Sequence, residues 1–428
     1  MTILLGTLLL VLALVLGVPV GFALGIAGCI ALFFVAPAST VLGLMAEVVH
    51  STMANFVILT IPAFVLMSEF LSAGGIADDM MIACNRLMRR VRGGLAMACV
   101  MAGAVLAASS GSSTASVATI SRAAFPTMKR LGYDPGLAVG VIAISGTLAI
   151  MIPPSIALVV YGILTEESIG KLFIAGIGPG LVTALGYVAA ITFTLWRRPD
   201  FAPRAHEALV NEAGETIEQK GRVWPVGLLV ALVLGALYSG LATPTEVGAI
   251  GAVGAFLLAL VLGRLTVAST VTALGNTLRI TSMIVTIIFG ALMFGYFMTY
   301  TQVTNALLGF ISESDLSPYT VLAAILVIYL LLGMLMDQFA ILVLTVPITY
   351  SIIIGLGFDP IWFGILVVKT AEIGLVTPPI GLNIFIAANA TGEDTSVGFR
   401  GVLPFVIVEI LLLALFVAFP QISLFLVN

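Results

Sequence analysis

Apolar runs of helix length fall at residues 2–16, 19–36, 55–72, 94–108, 115–128, 135–165, 168–196, 224–241, 243–263, 281–299, 318–335, 341–356, 360–390 and 402–427. The punctuation between them occurs twice. Pro153-Pro154 returns as Pro378-Pro379, and Leu131-Gly132-Tyr133-Asp134-Pro135 returns as Leu356-Gly357-Phe358-Asp359-Pro360. Gly176 and Pro179 return as Gly401 and Pro404, and Pro19 as Pro244, at an offset of 225 residues each time. A duplicated apolar chain whose helices are interrupted by Pro and Gly at membrane depth has the pattern of a secondary transporter.

Basic residues give the runs a direction, because Lys and Arg mark the inner side of a membrane. Arg86, Arg89, Arg90 and Arg92 precede the run at 94, and Lys129 and Arg130 follow the run ending at 128. Two half-length runs with both outer ends basic predict one re-entrant hairpin over 94–128, turning at Ser109–Thr114. Its counterpart over 318–356 turns near Gly333–Asp337 and is flanked by Glu313, Asp315 and Asp359, which places it on the opposite face. Each half then holds five spans and one hairpin, and an odd number inverts the second half. This threading puts both termini outside and leaves only Lys171 and Lys369 of the 17 basic residues away from the inner face. The expected fold is an all-α polytopic membrane protein with an inverted-topology repeat. Residues 1–196 form the first repeat with a broken helix at 135–165, 197–223 a cytoplasmic linker, and 224–428 the second repeat with a broken helix at 360–390. The basic, amphipathic segment 74–93 reads as a helix lying in the cytoplasmic interface, and 264–280 as a second one.

Composition agrees. The chain is 61% hydrophobic and 9% charged with a mean hydropathy of +1.22, against roughly 25% charged residues in soluble domains. The polar linker is too short to bury a core, so no soluble catalytic domain is expected. A net charge of −4 carried in loops says nothing of nucleic acid, and none is expected as a partner. Cys29, Cys84 and Cys99 lack pairing or metal spacing and read as small apolar fillers. His50 and His206 are far apart, which removes zinc-helix chemistry. Residues 1–16 lack a basic leader and run directly into a helix, so no cleavable signal is expected. No phosphate-binding Gly-rich loop followed by Lys is present, so ATP is not the direct energy source.

Three places can carry chemistry. Ser109 to Ser116 places six hydroxyls in eight residues at a hairpin turn. Hydroxyls and freed carbonyls at a helix break can replace water around a small hard cation; small-residue helix packing is the plainer alternative. The second place is the pair of breaks. Ser145-Gly146-Thr147 precedes Pro153-Pro154-Ser155, and Glu372-Ile373-Gly374-Leu375-Val376-Thr377 precedes Pro378-Pro379-Ile380-Gly381-Leu382-Asn383. Consecutive prolines have no N–H for the preceding turn, so carbonyls become free for a cation while the next half-helix points positive partial charge at an anion. A simple kink is the alternative. The third is Asp337, which can sit beside a cation or cap the following half-helix.

Other charges have structural readings. Lys369 and Glu372, three apart, can pair, and Glu246 in Thr243-Pro244-Thr245-Glu246 suits a helix start. Glu69 and Arg279 have no assignment. Asp134 and Asp359 superficially resemble paired protease aspartates. They fall on opposite faces and each precedes a Pro, so helix capping explains them better than an intramembrane aspartyl protease does.

The strings Ser110-Gly111-Ser112-Ser113-Thr114-Ala115-Ser116, Ala242-Thr243-Pro244-Thr245-Glu246 and Glu372 to Asn383 resemble the large membrane subunit of tripartite ATP-independent periplasmic (TRAP) transporters, over essentially the whole chain. The resemblance implies a non-enzymatic, sodium-driven importer in the bacterial inner membrane. Two hairpins and two broken helices would slide, elevator-fashion, against a scaffold of the remaining spans. An extracytoplasmic binding protein would deliver an organic anion, a C4-dicarboxylate or a sialic acid, and a separate small subunit of four helices would pack on the scaffold. One Na⁺ site would use the turn Ser109, Ser110, Ser112 to Thr114 with Gly146 and Thr147. The other would use Gly333 to Asp337 with Gly374, Thr377 and Pro378. Substrate would lie between them, near Ser112, Ser113, Ser155 and Asn383. A single-component sodium–dicarboxylate symporter would share the repeat and hairpins, but the spelling favours the tripartite family.

Overall fold

Prolines and local caps cut the apolar runs into helices. The computed structural model describes residues 2–427 except 89, 111, 203–223 and 315, and only the backbone at 77, 107–110, 226, 310 and 312. In chain order the first half contains α1 Thr2–Val15, α2 Val20–Phe33, α3 Ala38–Ala54, α4 Thr60–Ala73, α5 Ile76–Met88, α6 Gly94–Ser110, α7 Ser113–Arg130, α8 Pro135–Met151, α9 Ile156–Thr165 and α10 Ile169–Arg197. The second contains α11 Trp224–Tyr238, α12 Pro244–Val261, α13 Val267–Tyr300, α14 Val303–Glu313, α15 Pro318–Gly333, α16 Gln338–Gly355, α17 Pro360–Leu375, α18 Leu382–Thr391, α19 Thr395–Ala418 and α20 Gln421–Leu424. The described chain is all-helical, and the two series run in parallel at the 225-residue offset: α7 maps onto α16 end for end, and α6, α8, α9 and α10 onto α15, α17, α18 and α19 to within a few residues.

The caps explain these boundaries. Asp134 accepts the N–H of Leu137, and Asp359 that of Trp362, each with Pro at the first helical position, where a missing N–H costs nothing. These two aspartates are therefore helix caps. Gly132 and Gly357 end α7 and α16 in the left-handed region, at φ +74° and +80°. Thr243 and Glu246 form the expected capping box of α12.

Packing sorts the helices into an inner and an outer set. From the second residue onward, α8 and α17 are buried along their whole length. Around them lie two hairpins, α6 with α7 and α15 with α16. Outside stand α1, α2, α11, α12 and α13, with exposed Leu, Ile, Val and Phe that suit contact with lipid. Among the described residues six helices are long and apolar enough to cross a membrane, and α8 with α9 forms a further pair bent by 40°. Contacts between the outer helices use small residues, as membrane helices do. A β-carbon built on Gly290 of α13 would fall 2.1 Å from the carbonyl oxygen of Gly21 on α2.

One expectation is corrected. Residues 264–280 are not a separate interfacial helix, because α13 runs without a break from Val267 to Tyr300. In the first half the equivalent stretch is divided, with Asn55 capping a 3-10 turn over Phe56–Leu59 and Pro62 in the first turn of α4. The positions 225 residues on are Ile280 and Ile287, which break nothing. The same division creates α3, whose mixed composition hid it from the apolar runs. The amphipathic segment 74–93 does contain a helix, α5. Its buried Asp79 is clasped by Arg264 at 2.9 Å and 3.2 Å, which ties α5 to the loop before α13. Of the linker at 197–223, α10 reaches Arg197 and a 3-10 turn covers Pro199–Phe201; 203–223 lie outside the described residues.

Candidate functional site

The two hairpin turns rest on the two interrupted helices. At the first turn, Ser112 caps α7: its Oγ accepts the N–H of Ala115 at 3.5 Å and lies 3.2 Å from Thr114 Oγ1. Ser113, one residue on, is buried. Gly146 of α8 faces this turn so closely that a β-carbon there would lie 3.0 Å from the Ser113 carbonyl oxygen and 2.3 Å from Val117 Cγ2. From the other side, Gly103 of α6 would bring a β-carbon within 2.3 Å of the Ser145 carbonyl oxygen. The Ser145–Gly146 backbone is thus clasped between the hairpin arms. The side chains of Ser109 and Ser110, and all of Gly111, lie outside the described residues.

The second turn repeats the design with fewer hydroxyls. A β-carbon on Gly374 would fall 2.4 Å from Gly333 Cα and 2.8 Å from its carbonyl oxygen, so backbone meets backbone where only glycine fits. The N–H of Ile380, beyond the break, donates to the carbonyl of Met334 in the hairpin turn at 3.2 Å. Thr377 donates its hydroxyl to Ile373 O at 2.5 Å and its N–H to Gly374 O at 3.0 Å. Asp337 is half-buried, and its Oδ1 accepts the N–H groups of Phe339 and Ala340 at 2.9 and 3.2 Å. The cap foreseen for it is real and uses one of its two oxygens.

Both breaks contain a cis Pro-Pro bond. Pro153 and Pro154 offer no N–H to the carbonyls of Ala149 and Ile150, nor Pro378 and Pro379 to those of Gly374 and Leu375. Among the described residues no three His, Cys, Asp or Glu side chains converge. Any cation held at these turns would therefore rely on carbonyl and hydroxyl oxygens, joined at the second turn by the Asp337 carboxylate.

The structure brings some of the expected site residues together and separates others. Ser113 and Asn383, 270 positions apart, are in direct contact, with Asn383 Nδ2 donating to Ser113 Oγ. Both are buried, and Asn383 Oδ1 has no hydrogen-bond partner. Gly333 and Gly374 also meet. Ser155 is buried and caps α9 by accepting the N–H of Leu158 at 3.3 Å. Thr147 turns away from the hairpin: its hydroxyl donates to Ile144 O at 2.8 Å and lies 3.0 Å from Tyr187 Oη on α10. Pro378 is exposed at the break.

Charge reading was incomplete. Lys369 and Glu372 do pair, at 3.2 Å. Lys369 also meets Glu409 of α19 at 2.7 Å, with Tyr187 and Thr183 alongside. The signal for Glu409 was available, as an acid inside an apolar span is rare enough to be noticed. Glu69 accepts from Asn276 Nδ2 of α13 at 2.9 Å, which gives it a structural place.

A bundle of membrane-length helices with two hairpins seated on two broken helices defines a polytopic membrane permease. Its sequence matches the family described as "Tripartite ATP-independent periplasmic transporter, DctM component" over residues 7–422. It is 35% identical to the C4-dicarboxylate TRAP transporter large permease protein DctM of Pseudomonas aeruginosa, over 95% of this chain and 94% of that one. It is 30% identical to the sialic acid TRAP transporter permease protein SiaT of Haemophilus influenzae, over 96% of this chain and 66% of that one. The fold resembles that of the YdaH transporter of Alcanivorax borkumensis, with a TM-score of 0.67 at 14% identity over 89% of this chain and 88% of that one. The chain belongs to the DctM family, the large permease component of TRAP transporters, and is a transport subunit, not an enzyme.

Proposed function

We propose that this chain is the sodium-coupled moving subunit of a TRAP transporter that imports an organic carboxylate, a C4-dicarboxylate or a sialic acid. The observation that carries this reading is the seating of each hairpin turn on a helix break, Gly146 against Ser113 and Gly374 against Gly333. Two backbone-rich oxygen sites result, related by the repeat, with the Ser113–Asn383 contact joining the two halves. The relatives' names point to carboxylates of both kinds.

In this mechanism Na⁺ is cargo. One ion uses the Ser109–Thr114 turn with the backbone at Gly146 and Thr147; the other uses Gly333 to Asp337 with Gly374, Thr377 and Pro378. Their charge compensates a carboxylate lodged beside Ser112, Ser113, Ser155 and Asn383, which apolar hairpin arms alone could not hold. Each sodium entering gains about 2.3 kcal/mol per 100 mV of inside-negative potential. The two hairpins and two broken helices, with α10 and α19 bonded to them through Lys369, travel as one body against the remaining spans. The two repeats are inverted in the inner membrane with both termini outside. A periplasmic binding protein hands over the substrate, and a small four-helix subunit braces the scaffold.

The test is uptake of radiolabelled succinate and sialic acid into proteoliposomes holding this chain and its small subunit. An inward Na⁺ gradient and the cognate binding protein are the variables. Uptake that needs both is expected, and the acid accepted names the substrate. Uptake that needs sodium but no binding protein would refute the tripartite mechanism.

A further inference from the structure

A cavity of about 790 Å³ opens where the start of α8 and the start of α19 meet the end of α10. Its size falls within the roughly 300–1,000 Å³ of ordinary ligand pockets. None of the residues assigned to the ion or substrate sites lines it. Gly136 of α8 and Gly401 of α19 both do, and a β-carbon on Gly401 would overlap the Gly136 carbonyl oxygen.

Three exposed arginines line this cavity, Arg197 and Arg198 at the end of α10 and Arg400 on α19. Among the described residues none of the three is in an ion pair. The Arg197 guanidinium lies over the Phe193 ring at 5.2 Å, and that of Arg198 over Phe201 at 5.1 Å. A guanidinium held by its face keeps its N–H edge for a ligand, and that edge matches two oxygens of one phosphate. The acid in the lining is Asp134, whose Oδ1 is occupied by the N–H of Leu137 at 2.9 Å. Asp394, the acid preceding Arg400 on its own helix, does not line the cavity and caps α19 through the N–H of Ser396 at 2.7 Å.

Membrane orientation asks only for basic residues near the inner ends of spans. It does not ask for three guanidiniums from two helices around one cavity. The rest of the wall also has a direction. Phe193 lies one turn deeper than Arg197 along α10, and Leu403 and Ile407 lie one and two turns deeper than Arg400 along α19. All three line the cavity and are exposed. Trp196, exposed beside Arg197, is the residue type that marks the headgroup level of a membrane. Positive charge at the surface with an open apolar wall below it complements an amphiphile with an anionic head.

We propose that this cavity binds an anionic phospholipid of the inner leaflet. Its headgroup phosphate is held by Arg197, Arg198 and Arg400, and an acyl chain lies along Phe193, Leu403 and Ile407. Basic pockets between membrane helices on the inner side suit such headgroups, whereas a zwitterionic lipid brings its own cation to the same arginines. The membrane orientation proposed above fixes only the leaflet, and the site does not depend on which ion or acid the protein moves.

The test is titration of the delipidated full chain in neutral detergent, read by thermal melting and by native mass spectrometry. The probes are phosphatidylglycerol, phosphatidylcholine and glycerol 3-phosphate alone. Phosphatidylglycerol should stay bound and raise the melting temperature, and the other two should not. R400Q should weaken its binding roughly fivefold, the weight of one basic contact at an anionic membrane surface, and R197Q/R198Q/R400Q should abolish the shift. L403S/I407S should weaken it too, while R86Q/R90Q, at exposed basic positions that do not line the cavity, should bind as the wild type does. A shift unchanged in the triple variant, or lost equally in R86Q/R90Q, would overturn the proposal in favour of diffuse attraction to the inner face. So would an equal shift from glycerol 3-phosphate that L403S/I407S leaves intact, which would assign the cavity to a soluble phosphate. An R400Q protein that melts well below the wild type with no lipid present would overturn it as well, because Arg400 would then be holding the chain itself.

Discussion

Gly374 shows how tightly single residues define the site. Its missing β-carbon is the gap in which the second hairpin turn sits, with Gly333 Cα 2.4 Å from where that carbon would be. The obstacle is backbone, which cannot rotate aside. Gly374→Ala should destabilise the protein by about 1–3 kcal/mol, the usual cost of overpacking, read as a lower melting temperature with loss of sodium-dependent uptake. Gly275 in α13 has nothing within 4 Å of its β-carbon position, so Gly275→Ala should melt no lower than the wild type and transport normally. Asn383 is the second test at this scale. Its Nδ2 binds Ser113 while its Oδ1 is buried without a partner, which fits an oxygen or amide awaiting ligand. Asn383→Ala should raise the KM for substrate more than it lowers kcat in the uptake assay. Hydroxyl density marked Ser113, and the family resemblance placed Ser113 and Asn383 together beside the substrate. That they touch is a tertiary fact across 270 positions, invisible to spacing. The direction of the Thr147 hydroxyl was equally hidden, because it is set by Tyr187 on a different helix.

At the scale of elements, what could be read early is what is decided locally. The caps at Asp134, Asp359 and Thr243 with Glu246 each depend on residues within three positions, and the sequence displays them in full. The repeat was legible for the same reason, since Pro and Gly mark breaks wherever they fall. α3 was not, because Glu47, His50 and its Ser and Thr residues dilute the apolar signal, and α13 was cut short because its polar first half masks continuity with the apolar second half. Asp337 sits at the boundary between these cases. Its cap on α16 is local, and Asn caps a helix about as well as Asp. Asp337→Asn should therefore keep the melting temperature of the wild type, while Asp337→Ala should lose about 1 kcal/mol. If the carboxylate also faces the ion, as the proposed second site requires, Asp337→Asn should raise the half-saturating sodium concentration several-fold without that loss of stability. An unchanged sodium dependence would restrict Asp337 to capping.

At the scale of the whole molecule, the proposed motion needs a seam along which the hairpins and broken helices slip past the outer helices. The structure offers one between α13 and α16. A cavity of about 380 Å³ there is lined by Gly295, Tyr296 and Thr299 of α13, Pro347 and Ser351 of α16, and Leu164 of α9. Its lining comes from both bodies, and its walls are mostly apolar or small, so few specific bonds oppose sliding. Contacts elsewhere have another character: α8 and α17 are buried on every side, and Lys369 bonds across α10 and α19, so those helices hold the inner body together. Motion should therefore concentrate at the α13–α16 seam. A Thr299→Cys/Ser351→Cys pair, joined by a short reducible bifunctional reagent, should abolish uptake, and reduction should restore it. The three native cysteines, Cys29, Cys84 and Cys99, are buried or half-buried, and the protein without the added pair controls for their reaction. Each single cysteine treated alike should transport normally. If the double mutant transports at the wild-type rate while fully cross-linked, the two bodies do not slide at this seam, and the elevator reading would have to be abandoned for a mechanism that moves the hairpin turns alone.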